Sequence, residues 1–170
     1  MKKLIKLTLV VALVLSSTSL FAQKLGRINS QELISLMPET TQMQTDLQTY
    51  ATELNAQIEE VQVELNNKFA DFQKKQSTMK DLERQVAEKE LNELGARLEQ
   101  FRQVASEDFS KKQQELFAPI QEKAMAAIEK VSKAGGYAVV IDLAAGSMIY
   151  IDEAQVTDLL PLVKTELGIK

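Results

Sequence analysis

The chain has 170 residues with 20 basic and 24 acidic side chains, a formal net charge of −4, and neither Cys nor His. Without Cys there is no disulfide or thiol chemistry, and without His the chain lacks the commonest general base and metal ligand. We therefore expect no catalytic residue, no metal site, no cofactor and no enzymatic activity. Nucleic-acid binding is also disfavoured, because its usual mark is a basic excess.

Residues 1–22 have the pattern of a secretory signal peptide. Three lysines among the first six residues precede an apolar run from Leu7 to Leu15, and a polar stretch then leads to Ala22, after which we expect cleavage. The run is too short to span a bilayer comfortably, so an uncleaved anchor is the weaker alternative. Cleavage removes three lysines and no acidic residue, which leaves 17 basic and 24 acidic side chains and a net charge of −7.

The mature chain is predicted to begin with a strand over residues 24–29 and a short helix. Asn29 and Ser30 are both suitable N-caps, because their side-chain oxygens can accept a hydrogen bond from the first helical amides. We expect this helix to end at Pro38, since the residue before a proline avoids the helical conformation. A much longer helical segment begins at Glu39.

About ninety residues, from Gln42 to Val131, contain only one Gly and one Pro, which are Gly95 and Pro119. As one continuous helix they would extend ~135 Å, so the segment must either form a rod or fold back on itself. In the first half, apolar side chains alternate at spacings of four and three residues, which places them on one seam of a coiled coil. The seam consists of Leu47, Ala51, Leu54, Ile58, Val61, Leu65 and Phe72.

The seam pattern then fails, and we predict that the chain reverses at residues 76–79. Thr78 followed by Asp81 resembles a capping box, which would start a fresh helix. Pro38 and Pro119 lie at almost equal distances before and after Thr78, which favours a hairpin of two equal arms over a rod. In the second arm an eleven-residue spacing predicts a nearly straight path, and it relates Leu98, Phe109, Ile120 and Val131.

The last part of the chain has the pattern of a small β structure. Glycines at 135 and 136 stop the helix, and we predict a strand over Tyr137–Leu143, a turn over 144–147 and a return strand over Met148–Asp152. A final helix should follow, with an N-cap, an early proline and a terminal glycine at Thr157, Pro161 and Gly168.

Three short strands make a thin sheet with apolar residues on both faces. A two-stranded hairpin alone is marginal in water, and exposed apolar edges invite pairing with another chain. We infer that the sheet closes through oligomerisation, with Tyr137, Val139, Ile141, Leu143, Ile149 and Ile151 in the shared body. Asp142 interrupts this apolar strand and has two open interpretations, pairing across a subunit boundary or exposure to solvent.

The order of these elements resembles the Skp/OmpH family of periplasmic chaperones for outer-membrane proteins. The residues that carry the resemblance are 24–33 (KLGRINSQEL) and 136–142 (GYAVVID), with weaker support from 152–168. The resemblance implies a periplasmic homotrimer in which three strands of each chain form a shared β-barrel body and three helical hairpins surround a cavity. Unfolded outer-membrane proteins would be held in that cavity without ATP.

The expected fold is therefore mainly α with a small β body: a long helical hairpin, or coiled-coil tentacle, plus three short strands in a trimeric β-barrel core. Its parts would be a signal peptide at residues 1–22, a trimerisation body at 23–38 and 119–170, and an arm at 39–118. The alternative function is a structural coiled-coil adaptor or tether of the cell envelope, since helical hairpins in secretion adaptors look similar.

The arm tip holds the candidate client-contact residues. Flexible or aromatic apolar groups tolerate many partners and basic groups attract anionic clients or a membrane surface, so the candidates are Phe69, Phe72, Met79, Lys74, Lys75, Lys80 and Arg84. In the structural alternative, Phe72 completes the seam, Met79 packs across the turn, and the basic residues form a solvated tip. The best-known relatives are strongly basic, whereas between Gln31 and Asn67 this chain has seven acidic residues and no Lys or Arg.

Overall fold

The computed structural model describes residues 24–146 and 149–169. The predicted signal peptide therefore lies outside the described residues, as does Met148 at the start of the predicted return strand. The elements are β1 (Lys24–Ile28), α1 (Ser30–Leu36), α2 (Pro38–Lys75), α3 (Asp81–Gly135), β2 (Tyr137–Asp142), a 3₁₀ turn (Leu143–Ala145), β3 (Val156–Asp158) and α4 (Leu160–Leu167). The chain is mainly helical with a small three-stranded sheet, as predicted.

The described residues form two compact units. The body unit contains residues 24–36 and 123–169, and so includes the sheet, α1, the end of α3 and α4. The arm unit, Met37–Glu122, contains α2, the turn that follows it and most of α3. No helix among the described residues is both long enough and apolar enough to cross a membrane.

β1 is the central strand of the body unit, with β2 on one side and β3 on the other. Both neighbours run parallel to it, and Gly26 lies opposite Val140 of β2 and Thr157 of β3. The predicted strand hairpin is therefore wrong, since residues 149–152 form no strand. Because β1 lies between β2 and β3, these two strands cannot pair with each other. The long helical connection from β1 to β2 permits their parallel pairing.

The side chain of Asp152 explains why the segment before β3 turns instead of extending. Its carboxylate accepts hydrogen bonds from the Ala154 amide at 3.1 Å and from Gln155 Nε2 at 2.9 Å. Asp favours such turns because its side chain competes for nearby backbone donors. Asp142 acts in the same way on the amide two residues later, and β2 ends there, one residue before the predicted end at Leu143.

The core of the body unit is built against one face of the sheet. Ile28, Leu33, Leu159 and Val163 each have at most 2% of their surface exposed. Gly26 makes room for this packing, because a Cβ at that position would lie 2.9 Å from Leu159 Cδ1. Burying each of these aliphatic side chains contributes about 1.5–3 kcal/mol, so this small cluster stabilises the sheet and its helices together.

The cap of α1 is one of the two predicted residues. Asn29 Oδ1 accepts a hydrogen bond from the Glu32 amide at 3.1 Å, so Asn29 is the N-cap and Ser30 is the first helical residue. The helix ends at Leu36, and Pro38 then begins α2. A proline is tolerated there because the first amides of a helix have no intrahelical partner.

The final helix has two of its three predicted end signals. Pro161 lies in the first turn of α4, and Gly168 ends the helix in the left-handed conformation with φ 70°. The predicted N-cap Thr157 is wrong, because this residue belongs to β3. The N-cap is Leu159, whose side chain caps no amide, while the Leu160 amide donates to Asp158 Oδ1 at 3.0 Å.

The arm unit is an antiparallel pair of helices joined by a turn. The Tyr50 hydroxyl donates a hydrogen bond to Asp108, and Lys68 forms an ion pair with Glu90 at 3.2 Å. The second contact lies eighteen residues further along α2 and eighteen residues back along α3. This even register confirms the predicted helical hairpin.

The two prolines of the arm unit play different parts. Continuing the same register back from Tyr50 places Pro38 level with Pro119. Pro38 lies in the first turn of α2, where its missing amide hydrogen is not needed. Pro119 lies inside α3, which continues through it as part of one 55-residue helix.

The reversal occurs at the predicted place, but its capping differs from the prediction. α2 continues to Lys75 and α3 begins at Asp81. Thr78 is not an N-cap, because its hydroxyl donates to the Lys75 carbonyl at 3.0 Å, one of the carbonyls left unpaired at a helix end. The Lys80 amide donates to Glu83 Oε2 at 3.2 Å, which is the reciprocal half of a capping box placed two residues later.

The predicted seam is only partly covered. Leu47 of α2 is buried, as are four residues of α3 in this unit, Leu94, Leu98, Ala105 and Ile120. The other seam residues are half-buried: Ala51, Leu54, Ile58, Val61, Leu65 and Phe72. A two-helix pair covers each side chain from one side only, so apolar surface stays accessible along the arm.

Candidate functional site

Two of the clefts between α2 and α3 contain the predicted contact residues near the turn of the arm unit. The first, which we call the Gly95 cleft, has a volume of about 610 Å³ and is lined by Leu65, Asn66, Phe69, Phe72, Glu88, Leu91, Asn92, Gly95 and Ala96. The second, the tip pocket, has a volume of about 130 Å³ and is lined by Lys68, Asp71, Phe72, Lys75, Met79, Ala87, Glu90 and Leu91. Phe72 and Leu91 line both clefts.

The structure brings together the apolar residues predicted to contact a client. Phe69 is 49% exposed and shares the Gly95 cleft with the half-buried Phe72. Met79 is half-buried and lines the tip pocket together with Phe72. An aromatic side chain with half of its surface exposed, beside an open cleft, is available to a partner.

Gly95 was not predicted from the sequence as a site residue. A Gly inside a helix costs about 0.5–1 kcal/mol relative to Ala. Close packing does not account for it, because a Cβ at this position would have no other atom within 4 Å. The sequence signal that could have found it is a lone Gly within about ninety helical residues.

The basic candidates at the tip differ in how their charges are compensated. Arg84 forms ion pairs with Asp81 at 3.4 Å and with Glu88 at 3.9 Å, both on its own helix. The other three are exposed and form no ion pair with any residue that the structure describes: Lys74, Lys75 and Lys80. The positive charge available to an anionic partner therefore comes from these three lysines.

A polar contact that the sequence reasoning missed joins the helices farther from the turn. The Tyr50 hydroxyl donates to Asp108 Oδ2, and Lys112 Nζ lies 5.9 Å from the centre of the Tyr50 ring. The hydrogen bond to the Asp108 carboxylate, with smaller contributions from desolvation and from nearby negative charge, raises the pKa of Tyr50. The hairpin register was the available signal, since Tyr50 and Asp108 lie at similar distances from the turn.

Asp142 is an anchor within the body unit. Its Oδ1 accepts hydrogen bonds from the Ser30 and Ala144 amides, both at 3.0 Å, and its Oδ2 accepts one from the Ser30 hydroxyl. Partial burial raises the pKa of this carboxyl, but the hydrogen bonds from Ser30 and Ala144 outweigh burial and lower the pKa overall. Simple exposure to solvent does not describe this residue, because its carboxylate is half-buried and bonded within its own chain. Pairing across a subunit boundary stays a prediction.

The residues predicted to form a shared body lie in and after the edge strand β2. That strand pairs with β1 on one side and with no described strand on the other. Val139 is 51% exposed and Ile149 is fully exposed, and the others are half-buried: Tyr137, Ile141, Leu143 and Ile151. Parallel sheets are normally covered on both faces, so this sheet has apolar surface left for a partner.

Arg27, in the central strand, was not singled out from the sequence. Its Nη1 pairs with Glu153 Oε1 at 2.9 Å, while its Nε is buried and has no hydrogen-bond partner among the described residues. A buried donor without a partner costs about 1–3 kcal/mol. The hydrogen-bonding capacity of the Arg27 guanidinium is therefore not fully used among the described residues.

Most of the ion pairs described in the arm join exposed charged side chains of one helix. Within residues 24–146 and 149–169, no three acidic side chains converge as metal ligands would. Several exposed carboxylates of α3 pair with lysines of the same helix, as in Lys89–Glu93 at 3.5 Å and Lys111–Glu115 at 3.8 Å. The arrangement consists of apolar clefts and surrounding charges on an exposed helical pair.

Comparison with known proteins decides the family. A family model described as outer membrane protein (OmpH-like) matches residues 24–167. The chain belongs to the OmpH-like family. The family resemblance predicted from the two strand blocks is thus confirmed.

A solved structure has the same fold. An OmpH-like protein of Caulobacter crescentus, described as a candidate outer membrane chaperone, aligns with a TM-score of 0.72 at 16% sequence identity. The alignment covers 85% of this chain and 83% of that chain. No curated protein sequence matches this OmpH-like chain.

Proposed function

We propose that this OmpH-like protein is a homotrimeric periplasmic holdase, which binds unfolded outer-membrane proteins without ATP in a cavity between its helical arms. The observation that carries the proposal is the match of the OmpH-like family model to residues 24–167. The mechanism is physical: weak contacts along an unfolded chain prevent its aggregation, and no covalent step takes place.

The proposal assigns a role to each part of the chain. Residues 1–22 direct export and are removed after Ala22, residues 23–38 and 119–170 form the trimerisation body, and residues 39–118 form the arm. Clients are contacted near the arm tip by Phe69, Phe72, Met79, Lys74, Lys75, Lys80 and Arg84. Three unpaired lysines at the tip also suit a peripheral contact with an anionic membrane surface.

The clefts of the arm unit support weak and multiple binding. Burying a single Phe or Leu side chain of a client contributes about 1.5–3 kcal/mol, which is too little for stable binding by one contact. Several arms acting on one client raise the overall affinity through effective concentration. Each contact remains easily broken, and that is what release without ATP requires.

The edge strand of the body unit supports the trimer. The outer edge of β2 is unpaired among the described strands and carries Val139 with half of its surface exposed. A second copy that pairs with this edge would cover the apolar surface and form backbone hydrogen bonds with the free edge of β2.

Suppression of aggregation tests the holdase function. A urea-denatured outer-membrane β-barrel is diluted into buffer with or without the mature chain, and light scattering follows aggregation. We expect scattering to fall strongly at one trimer per client in the absence of ATP. A structural tether predicts no suppression, so unchanged scattering would reject the holdase in favour of that alternative.

Size-exclusion chromatography with light scattering tests the trimer. The mature chain should elute with three times its monomer mass, and Val139→Lys should reduce that mass by placing a charge on the edge strand. Val63→Lys is the matched control, because Val63 is similarly exposed at 48% but lies on α2. A monomeric mature chain would contradict the shared body. Intact-mass analysis of exported protein checks cleavage after Ala22.

A further inference from the structure

We propose that the Gly95 cleft is a subsite for one bulky apolar side chain of an extended polypeptide segment, and that Gly95 keeps this subsite open. The inference rests on the proposed function and deepens it. It states which part of the arm holds the client and which chemistry is recognised there.

The size of the cleft selects the kind of occupant. Its volume of about 610 Å³ falls within the ~300–1,000 Å³ typical of sites for small ligands. A second copy of the chain or another folded partner needs about 800 Å² of contact on each side, which the mouth of one cleft between two helices does not supply. A short segment with one inserted side chain fits this volume.

The apolar lining comes from both helices. Phe69 and Phe72 of α2 face Leu91 and Ala96 of α3 across the cleft. Aromatic rings and a leucine offer favourable contacts to another aromatic or large aliphatic side chain. Phe69 keeps about half of its surface free, so an incoming side chain gains buried area on that ring.

The polar rim suits an extended backbone without net charge. Asn66 and Asn92 lie on opposite helices at the rim, and an amide side chain can both donate to and accept from a peptide group. Asn66 Oδ1 already accepts from Gln62 Nε2 at 3.2 Å, which leaves its NH₂ group to donate. The Glu88 carboxylate is compensated by Arg84 at 3.9 Å, so the rim selects neither charge.

The open space above Gly95 is the observation that makes this residue the determinant. A Cβ built there meets no atom within 4 Å, although the position lines the cleft between two packed helices. Any larger side chain at 95 would therefore project into unfilled volume. The helix does not need a glycine for its own backbone, because Gly95 has no positive φ.

The inference is tested by measuring peptide binding to the wild type and to a variant whose cleft is filled by a larger side chain at position 95. The probe is a capped Ser-Gly-Phe-Gly-Ser peptide, with Ser-Gly-Ala-Gly-Ser as its matched control, titrated into the mature full-length protein. NMR signals of the Leu91 and Ala96 methyl groups report binding. We expect saturable shifts with the Phe peptide only, and binding at least tenfold weaker in Gly95→Leu. Ala56→Leu adds the same apolar side chain on an exposed position of α2 and should bind like the wild type.

Each outcome of this titration decides the inference. The inference would be overturned if Gly95→Leu bound the Phe peptide as tightly as the wild type at unchanged helix content. It would also be overturned if the methyl signals shifted with protein concentration in the absence of peptide, since a second copy of the chain would then fill the cleft. Phe69→Ala, which removes one wall, should also weaken binding. If the wild type binds the Phe peptide but fails to suppress aggregation, the subsite stands and the holdase function fails. Suppression without peptide binding at the cleft rejects the subsite alone.

Discussion

Ser30 and Asp142, which lie 112 residues apart, join the first residue of α1 to the last residue of β2. Both the amide and the hydroxyl of Ser30 donate to the Asp142 carboxylate. Ile28 pairs with Asp142 in the parallel register of β1 and β2, so the carboxyl ends of these strands meet at one edge of the sheet. The Asp142 carboxylate therefore links the two chain segments at this end of the sheet, because it accepts hydrogen bonds from Ser30 and from Ala144.

Replacing Asp142 by Asn should lower the stability of the body unit and make that stability less sensitive to acidic pH. The variant loses charge-assisted hydrogen bonds, and we expect a loss of roughly 1–2 kcal/mol in the free energy of unfolding, discounted for partial exposure. The pKa of Asp142 is lowered in the folded chain. Its stabilisation is therefore complete above the unfolded value of ~3.9 and is lost as pH falls through the folded pKa.

Urea denaturation followed by circular dichroism over a series of pH values measures this effect. Wild type and Asp142→Asn should differ most near neutral pH and converge in acid. Glu59→Gln is the control, because Glu59 is exposed on α2 and should leave the pH profile unchanged. A constant difference between wild type and Asp142→Asn across the whole pH range would contradict the assignment.

Gly26→Ala should destabilise the body unit. The new Cβ would lie 2.9 Å from Leu159 Cδ1 and 3.2 Å from Val140 Cγ2, and Leu159 is completely buried, so it has no free space to move into. Overpacking of this kind costs about 1–3 kcal/mol. Thermal denaturation should show a lower melting temperature, and an unchanged value would mean that the sheet relaxes to accept the methyl group.

Gly95→Ala should have the opposite effect on the arm unit. The added methyl meets no atom within 4 Å, and Ala is favoured over Gly inside a helix by about 0.5–1 kcal/mol. We expect a higher helix content on heating, measured by circular dichroism. Gly26→Ala serves as the comparison, because it adds the same methyl group in a crowded environment. A lower stability of Gly95→Ala would contradict the prediction and show that the helix needs glycine at this position.

Ultraviolet titration of the tyrosines should reveal the contact between Tyr50 and Asp108. The chain has three tyrosines. The hydroxyl of Tyr50 should ionise above the ordinary tyrosine pKa of ~10, because the hydrogen bond to Asp108 raises its pKa. In Asp108→Asn this pKa should fall towards the ordinary value. The contact favours the neutral phenol, so it stabilises the arm at neutral pH and this stabilisation is lost as pH rises through the folded pKa.

Features that depend on a few neighbouring residues were predictable. The reversal at residues 76–79 follows from the end of the seam pattern, and the first-turn Pro161 and the terminal Gly168 follow from local backbone preferences. Phe69 and Phe72 could likewise be placed near the turn by counting along the chain, while their contact with a client stays a prediction. Their shared cleft could not be foreseen, because it depends on which α3 residues face them.

The return strand shows why local preference is insufficient. Residues 148–152 have the apolar and β-branched composition of a strand, yet a strand forms only where another strand offers hydrogen-bond partners. β1 provides them for Val156–Asp158 instead, while Asp152 turns the preceding backbone. Strand pairing is a contact between distant segments, and its free energy is not contained in either segment alone.

By itself the sequence determined the helical hairpin, the family and the chain's lack of Cys and His, because periodicity, strand blocks and composition are properties of the residues in order. The tertiary structure decided the parallel strand order, the role of Asp142 and the open cleft at Gly95. Each of these depends on groups far apart in the chain: a partner strand, two donors on Ser30, and the empty space between two helices. Such contacts exist only after the chain has folded, and local propensities do not specify them.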